Sequence, residues 1–253
     1  MKSYTDLHWQ QRAKNECDER KVNIADLIQR TVETQFIHRH LSKEGILLEV
    51  GCGNGYLTQQ LRECVRHVDS IDYSDAMIER ARRYVGEINN RFIQDNILNP
   101  MAIDGKYDQI LCLRVLINLR NIEEQRNAIF AMHKYLKENG QLILIEGFID
   151  GFQELNRLRN RIGLGKIKPA SINFYSSLND LMMEIEKLFI IEDEMHTGMY
   201  DFLTRIVYPL LVGENNASGP DKYHSDIEPL IKVLNPDCFK IYGRLRGYVL
   251  RKK

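Results

Sequence analysis

The sequence lacks three features that would have suggested common functional classes. It has no net charge, because 35 lysines and arginines balance 35 aspartates and glutamates, so no basic field recruits nucleic acid. It has no run approaching the roughly 18 apolar residues of a membrane span. Its N-terminus has no apolar segment of signal-peptide length. We therefore expect a cytoplasmic protein that neither binds nucleic acid nor crosses a membrane.

Cysteine is also scarce. The five cysteines are odd in number and include no C-x-x-C pair. Such a set is typical of free thiols in a reducing compartment, and it predicts no metal site.

Regular alternation of strand and helix characterises the middle of the chain. Short apolar runs bounded by turn residues predict five strands, in "ILLEV", "HVDSID", "RFIQD", "YDQILCL" and "QLILIE". Helices are predicted from Asn23 to Leu41, over roughly 55–65, from the Ser74 cap to about Val85, and from the Asn121–Glu124 capping box to near Gly140. This rhythm between 46 and 147 indicates a parallel sheet with right-handed crossovers.

The rhythm breaks after residue 147. Residues 148–185 are predicted to be helical and charged, and "LFIIED" and "KIYGRLRGYVLRKK" are read as a sixth and a closing strand. The polar segment "VGENNASGPDKYHSD" is predicted to be a mobile loop.

The stretch "EVGCGNGY" at 49–56 connects the first strand to a helix. Its glycines are spaced G-x-G-x-G, and Tyr56 stands where the dinucleotide fingerprint G-x-G-x-x-G requires a small residue. No lysine follows in P-loop register. The turn therefore suits a nucleoside without phosphates, which disfavours an NAD-dependent oxidoreductase.

Two acidic residues at later strand ends support this reading. Asp72 ends the second strand about twenty residues on, where a carboxylate accepts both ribose hydroxyls. Asp95 follows the third strand, where its carboxylate can accept from an adenine amino group.

On these motifs, residues 46–147 resemble a class I S-adenosylmethionine-dependent methyltransferase. "EVGCGNG" is similar to the first motif of that family, Asp72 to its ribose-binding acid and Asp95 to its adenine-side acid. The implied fold is α/β: a Rossmann-like, doubly wound, seven-stranded, mostly parallel sheet with a helical insertion or lid. Further segments resemble bacterial methyltransferases of surface-polysaccharide and sugar modification.

The resemblance implies S-adenosylmethionine (SAM) as the cofactor. Trp9 and Arg12 are predicted to form a lid, with Arg12 pairing with the methionine carboxylate. The residues expected to bind the cofactor are Trp9, Arg12, Glu49, Gly51, Cys52, Gly53, Asp72, Met77, Asp95, Asn96 and Leu113.

The implied reaction is methyl transfer to a hydroxyl of a small polar acceptor, a sugar, nucleotide sugar or glycan precursor. An alcohol acceptor needs a base, and Glu146 and His196 are the candidates, ahead of Asp150 and His224. The residues expected to bind the acceptor are Arg114, Asn156, Arg159, Tyr200 and Arg205.

Two alternatives stay open: an N-methyltransferase or one acting on another small molecule, and a non-catalytic SAM-binding protein. The expected division is an N-terminal helical lid (1–44), a cofactor-binding core (45–147) and a helical substrate-side insertion with the closing strands (148–253). We also consider a homodimer.

Overall fold

The computed structural model describes residues 4–24, 26–217, 230 and 236–253. Its centre is a seven-stranded sheet in the order β3-β2-β1-β4-β5-β7-β6. The strands are β1 (Ile46–Val50), β2 (His67–Asp72), β3 (Asn90–Gln94), β4 (Tyr107–Leu113), β5 (Leu136–Gly147), β6 (Phe189–His196) and β7 (Leu245–Lys252). The first five strands are parallel, whereas β7 runs antiparallel to both β5 and β6. This confirms the predicted fold class.

Helices flank the sheet and precede it. They are α1 (Tyr4–Asn15), α2 (Leu27–His40), α3 (Thr58–Leu61), α4 (Asp75–Val85), α5 (Ile122–Tyr135), α6 (Ile149–Arg161), α7 (Leu178–Leu188), α8 (Gly198–Phe202) and α9 (Tyr208–Val212). A π-helical segment, Leu203–Val207, joins the last two. Among the described helices, none has the length and hydropathy to span a bilayer.

Apolar side chains cover both faces of the central strands. On one face, α5 and α7 bury Ile129 and Leu181 against Leu142. On the other, α2 buries Phe36 against Leu111. Because both faces are covered, the strands are apolar almost throughout, as parallel strands in α/β folds are.

Several predicted boundaries are corrected. The cap of α2 is Asp26, whose side chain accepts from the Gln29 amide, and not Asn23. The helix after the glycine turn is four residues long. The helix begun at Asn121 ends at Tyr135, and β5 starts at once. The loop predicted at 212–226 forms a short 3₁₀ turn at Glu214–Asn216, and from residue 218 it lies outside the described residues, as does His224.

Candidate active site

A cavity of about 440 Å³ opens at the carboxyl ends of β1, β2 and β4, beneath α1 and α2. The strand order reverses between β1 and β4. In open α/β sheets, ligands bind at this reversal, because the loops on either side of it diverge and leave a crevice. Most of the predicted cofactor residues meet here.

The glycine turn forms the floor of the cavity. Gly53 has φ +55°, and a Cβ there would lie 2.3 Å from the Asn23 side-chain amide. Gly51 has φ +73°, and a Cβ there would lie 2.4 Å from Val115. Any larger residue would face both an unfavourable backbone conformation and a clash. The glycines therefore allow the loop after β4 and the segment before α2 to close over the turn.

Asp72 lies beside this turn with its carboxylate fixed. Oδ2 accepts from the Gly53 amide and Oδ1 from the Ser74 amide, each at 2.9 Å. Burial raises the pKa of Asp72 to about 6, against the lowering effect of these two amides. The carboxylate lines the cavity and keeps lone pairs for a ligand's hydroxyl donors.

Glu49 lines the cavity from the end of β1. Its Oε2 accepts from the Thr58 hydroxyl at 2.5 Å and from the Ser70 hydroxyl at 2.9 Å. Burial, the largest cause, raises the pKa of Glu49 to about 7, and nearby Asp72 adds to the shift. The protein thus holds the carboxylates of Glu49 and Asp72 at the carboxyl ends of the neighbouring strands β1 and β2.

Asp95 differs from Glu49 and Asp72, although it also lines the cavity. Its carboxylate accepts from the amides of Asn96, Met101, Ala102 and Ile103 at 2.8–3.2 Å. These bonds hold the loop after β3, so the main task of Asp95 in this structure is to shape that loop. Asn96 lines the cavity too, is exposed, and caps the same loop through the Leu98 amide.

Trp9 of α1 lines the cavity. Its indole Nε1 donates to Asn118 Oδ1 at 3.1 Å, so α1 contacts the loop after β4. Arg12 does not line the cavity. Its guanidinium donates to the carbonyls of Lys21 and Val22 and ties α1 to the following segment. The prediction that Arg12 meets the methionine carboxylate is therefore not supported by its position.

Arg30 on α2 is the arginine that lines the cavity from the N-terminal helices. Its guanidinium lies 4.6 Å from the ring centroid of Tyr56. Within the described residues its Nε has no hydrogen-bond acceptor. Burial, and then the charge of Arg114, lower the pKa of Arg30 to about 10. Such a partly buried cation is suited to bind an anionic group.

The remaining predicted cofactor residues also line the cavity. Met77 and Cys52 are buried in the cavity wall, and burial raises the pKa of the Cys52 thiol, which fits no nucleophilic role. Leu113 and Arg114 line the cavity at the end of β4. Arg114 has φ +54°, and its amide donates to the Ile145 carbonyl at 2.8 Å.

Glu146, the first candidate base, does not line the cavity. It is buried behind the loop that follows β4, where Oε2 accepts from the Ile117 amide at 2.9 Å. Burial raises the pKa of Glu146 to about 8. Its Oε2 therefore supports the loop, and Glu146 is not part of the cavity wall.

His196, the second candidate, ends β6 at the edge of the sheet. It pairs in register with Arg246 of β7, which pairs with Glu146 of β5. His196 is therefore two strand spacings, roughly 10 Å, from Glu146. Its Nε2 lies 3.8 Å from Asp237 Oδ1, and it does not line the cavity. Asp150 is likewise used elsewhere, accepting from the Leu178 amide at the start of α7.

Four of the five predicted acceptor residues are occupied by contacts with other protein groups outside the cavity. Asn156 exchanges two hydrogen bonds with the backbone of Ile167, at 2.9 Å each. Arg159 is buried and binds the carbonyls of Gly165 and Arg205 and the carboxylate of Glu214. None of these groups lines the cavity.

Tyr200 and Arg205 are used in the same way. The Tyr200 hydroxyl donates to Asp26, the cap of α2. Arg205 lies 3.5 Å from the buried carboxylate of Asp201. Of the predicted acceptor residues, only Arg114 lines the cavity.

Among the cavity-lining residues that the sequence reading missed are Arg30, Glu33, Asn118, Ile172 and Asn173. One signal could have revealed the first two. Arg30 and Glu33 are three residues apart in a helix whose apolar residues face the sheet, so a charged pair on the inner side pointed to a buried polar site. Asn173 belongs to the irregular segment between α6 and α7, whose course has no sequence signal.

Residues 47–140 match the model of a family described as a methyltransferase domain. The ubiquinone biosynthesis O-methyltransferase of Rickettsia akari is 29% identical over 177 residues, which cover 61% of this chain and 64% of that protein. The malonyl-[acyl-carrier protein] O-methyltransferase of Priestia megaterium is 28% identical over 176 residues, covering 64% and 61%. The chain thus spans less than two thirds of the length of these relatives.

Solved structures agree on the fold. The N-methyltransferase NodS of Bradyrhizobium japonicum, in complex with S-adenosylhomocysteine (SAH), superposes with a TM-score of 0.63 at 15% identity and 99% coverage of both chains. The magnesium protoporphyrin IX methyltransferase ChlM of Synechocystis, with bound SAH, gives 0.62 at 16% identity, covering 99% of this chain and 95% of that one.

Residues 47–140 thus match a methyltransferase domain, and the chain has the fold of methyltransferases that have been solved with bound SAH. The narrower likeness to polysaccharide-modifying enzymes is not found among these relatives.

Proposed function

We propose that the protein transfers the methyl group of SAM to an oxygen of a small-molecule acceptor. One observation carries the proposal: the fixed carboxylates of Glu49 and Asp72 and the glycine turn face one cavity. A carboxylate held by backbone amides loses little entropy when it binds a ribose, so the protein is prepared for the adenosyl group.

The positions suggest a role for each group. Asp72 accepts from the ribose hydroxyls beside the turn. Arg30 takes the role foreseen for Arg12 and binds the methionine carboxylate, because its guanidinium lines the cavity and contacts Tyr56 of the glycine turn. Trp9 covers the cofactor, and its bond to Asn118 links cofactor binding to the acceptor side.

Apolar groups line much of the remaining cavity, and they are Leu98, Val115, Ile117, Leu119 and Ile172. This lining favours an acceptor with an apolar body and a hydroxyl, which agrees with the quinone-pathway name of one relative. A nucleotide sugar is less favoured as the acceptor, because Arg159 and Arg205, which were expected to bind it, do not line the cavity. A sugar hydroxyl stays a prediction of lower rank.

The division into a lid (1–44), a core (45–147) and a helical part (148–253) also stays a proposal. The same holds for the cytoplasmic location and the homodimer.

The test is a donor-consumption screen, in which SAM is supplied with phenols, hydroxy acids, nucleotide sugars and small amines, and SAH is measured. We expect turnover with a hydroxylated aromatic or hydroxy acid. Turnover with amines alone would replace oxygen by nitrogen as the methylated atom. No SAH formation with any acceptor, together with no binding of SAM, would contradict the proposed function.

A further inference from the structure

The ion pair between Glu33 and Arg114 combines a fully buried carboxylate with a place in the cavity wall. The Glu33 side chain is 0% exposed, and its Oε1 lies 3.4 Å from Arg114 Nε. Both residues line the cavity, one from α2 and the other from the turn after β4. Gln29 holds the carboxylate from the same helix, donating to Oε1 at 2.9 Å. The pair thus faces the cavity at the strand whose end carries Leu113.

Each partner of this pair has a buried polar atom that makes no hydrogen bond within the described residues. Oε2 of Glu33 has no hydrogen-bond donor, and Nε of Arg114 has no acceptor in hydrogen-bonding geometry, within the described part of the chain. Both atoms are out of contact with solvent. Leaving a buried polar atom unpaired costs free energy that a ligand recovers on binding. The complementary ligand has a hydroxyl donor for Glu33 and, next to it, an oxygen acceptor for Arg114.

The surroundings of Glu33 also suit proton transfer. Burial raises the pKa of the Glu33 carboxyl, while Arg114, Gln29 and Arg30 act against the shift and Asp26 adds to it. A carboxyl with a raised pKa binds a proton more readily than an exposed one, which a base near neutral pH requires.

The other carboxylates that line the cavity are less suitable. Asp95 is occupied by four backbone amides. Glu124 is paired with the exposed Arg120. Glu49 and Asp72 flank the glycine turn, which is the cofactor side. Glu33 is the remaining carboxylate, and it has an open lone pair beside a guanidinium.

We propose that Glu33 is the general base of the methyl transfer and that Arg114 orients the acceptor through a second oxygen adjacent to the reacting hydroxyl. This inference rests on the proposed function. In the step, Glu33 Oε2 takes the hydroxyl proton while the acceptor oxygen forms a bond to the methyl carbon. The carbon–sulfur bond breaks, its electron pair returns to sulfur, and SAH is released. The acceptor class is then a hydroxyl next to a carboxylate, carbonyl or second hydroxyl.

The binding test uses SAH-saturated protein titrated by calorimetry with salicylate, which has a hydroxyl beside a carboxylate, and with benzoate, which lacks the hydroxyl. We expect salicylate to bind at least about tenfold more tightly, the effect of one hydrogen bond to a charged group. Glu33→Gln is expected to reduce this preference below about twofold. Glu123→Gln, an exposed carboxylate on α5 outside the cavity, is the matched control.

The wild-type comparison does not depend on any variant folding, and equal binding of the two probes, or no saturable binding of salicylate, overturns the inference. A loss of SAH affinity in Glu33→Gln, with unchanged affinity for methylthioadenosine, also overturns it, because Glu33 would then bind the methionine ammonium group.

Turnover gives a separate readout. With the best acceptor of the screen, Glu33→Gln is expected to lower kcat at least about 100-fold and to remove the acidic limb of the pH profile, and Glu33→Asp to restore part of both. An unchanged kcat in Glu33→Gln would show that Glu33 is not the general base. A wild-type protein that binds SAH but consumes no SAM with any acceptor would contradict the proposed function instead.

Discussion

Two regions of the molecule are rich in charged side chains, and they use them in opposite ways. At the ends of β1 and β2, Glu49 and Asp72 are fixed by hydroxyls and amides while still facing a cavity. In the helical part after β5, the guanidinium of Arg159 binds two backbone carbonyls and the carboxylate of Glu214. The first arrangement leaves binding capacity for a ligand, and the second is complete within the protein.

The difference follows from topology. Parallel strands bring their carboxyl ends to one edge, so polar residues there converge on a common crevice. Helices joined by irregular segments need polar side chains to satisfy loop carbonyls that no strand or helix pairs. A charged helix is therefore weak support for an acceptor site, whereas an acid at a strand end is strong support.

The largest effect is expected from Gly53→Ala on the cofactor side. The new Cβ would meet the Asn23 amide in a positive-φ conformation, and the turn would have to open. We expect SAH binding to weaken by about 100-fold or more in calorimetry, through lost preorganisation. Gly105→Ala is the control, since a Cβ there meets no atom within 4 Å. Near-normal SAH affinity in Gly53→Ala would show that the turn is not the cofactor's floor.

The helical region is tested by Arg159→Met. Removing a buried guanidinium that serves two carbonyls and Glu214 should lower the free energy of unfolding by about 2–4 kcal/mol. SAH affinity should stay within about twofold. Arg157→Met, two residues earlier and exposed, should change neither quantity. Chemical denaturation and calorimetry check both, and an affinity loss at unchanged stability would return Arg159 to the binding site.

The pH dependence of the free energy of unfolding tests Glu146, the buried carboxyl group that supports the loop after β4. Because the pKa of Glu146 is raised from 4.5 to about 8, its folded form prefers the proton. The associated stability is fully present below pH 4.5 and is lost as the pH rises to about 8.

Glu146→Gln stays neutral and can still accept from the Ile117 amide. At pH 9 the variant is therefore expected to be more stable than the wild type by about 1–3 kcal/mol. Thermal unfolding at pH 5 and pH 9 measures this. A variant that is equally destabilised at both pH values would show that the carboxylate is ionised in the fold.

The smallest effect is expected at the lid. Trp9 is the one tryptophan of the chain, so its emission should change when SAH binds beneath it. Trp9→Phe keeps an aromatic cover and loses the bond to Asn118. We expect SAH affinity to fall by roughly three- to fivefold, the effect of one neutral hydrogen bond. If saturating SAH left the emission spectrum unchanged, Trp9 would not cover the bound cofactor.

The fold and the residues at the strand ends that line the cavity were predictable because their signals are local. Strand β4 was bounded correctly from its apolar run, and Ser74 was identified as the cap of α4. The place of Asp72 at the cavity followed from its position at the end of β2. These features depend on residues close in sequence, and topology then fixes where they meet.

The acceptor side was less predictable because its contacts are distant in sequence. Glu33 and Arg114 are 81 residues apart in sequence (114 − 33), and Trp9 and Asn118 are 109 residues apart. The sequence does not show which of Arg12 and Arg30 faces the cavity, because the bonds from Arg12 to the carbonyls of Lys21 and Val22 are visible only in the structure. Glu146 was placed correctly at a strand end, but the loop after β4 covers it.

The central claim is that this cavity holds an adenosyl group through Asp72. The direct measurement is calorimetric titration of the wild type with SAH and with NAD, alongside Asp72→Asn and the exposed control Asp75→Asn. The account predicts saturable SAH binding, no NAD binding, and a loss of about tenfold or more in SAH affinity in Asp72→Asn alone. Binding of NAD in preference to SAH, or equal SAH affinity in Asp72→Asn and the wild type, would contradict it.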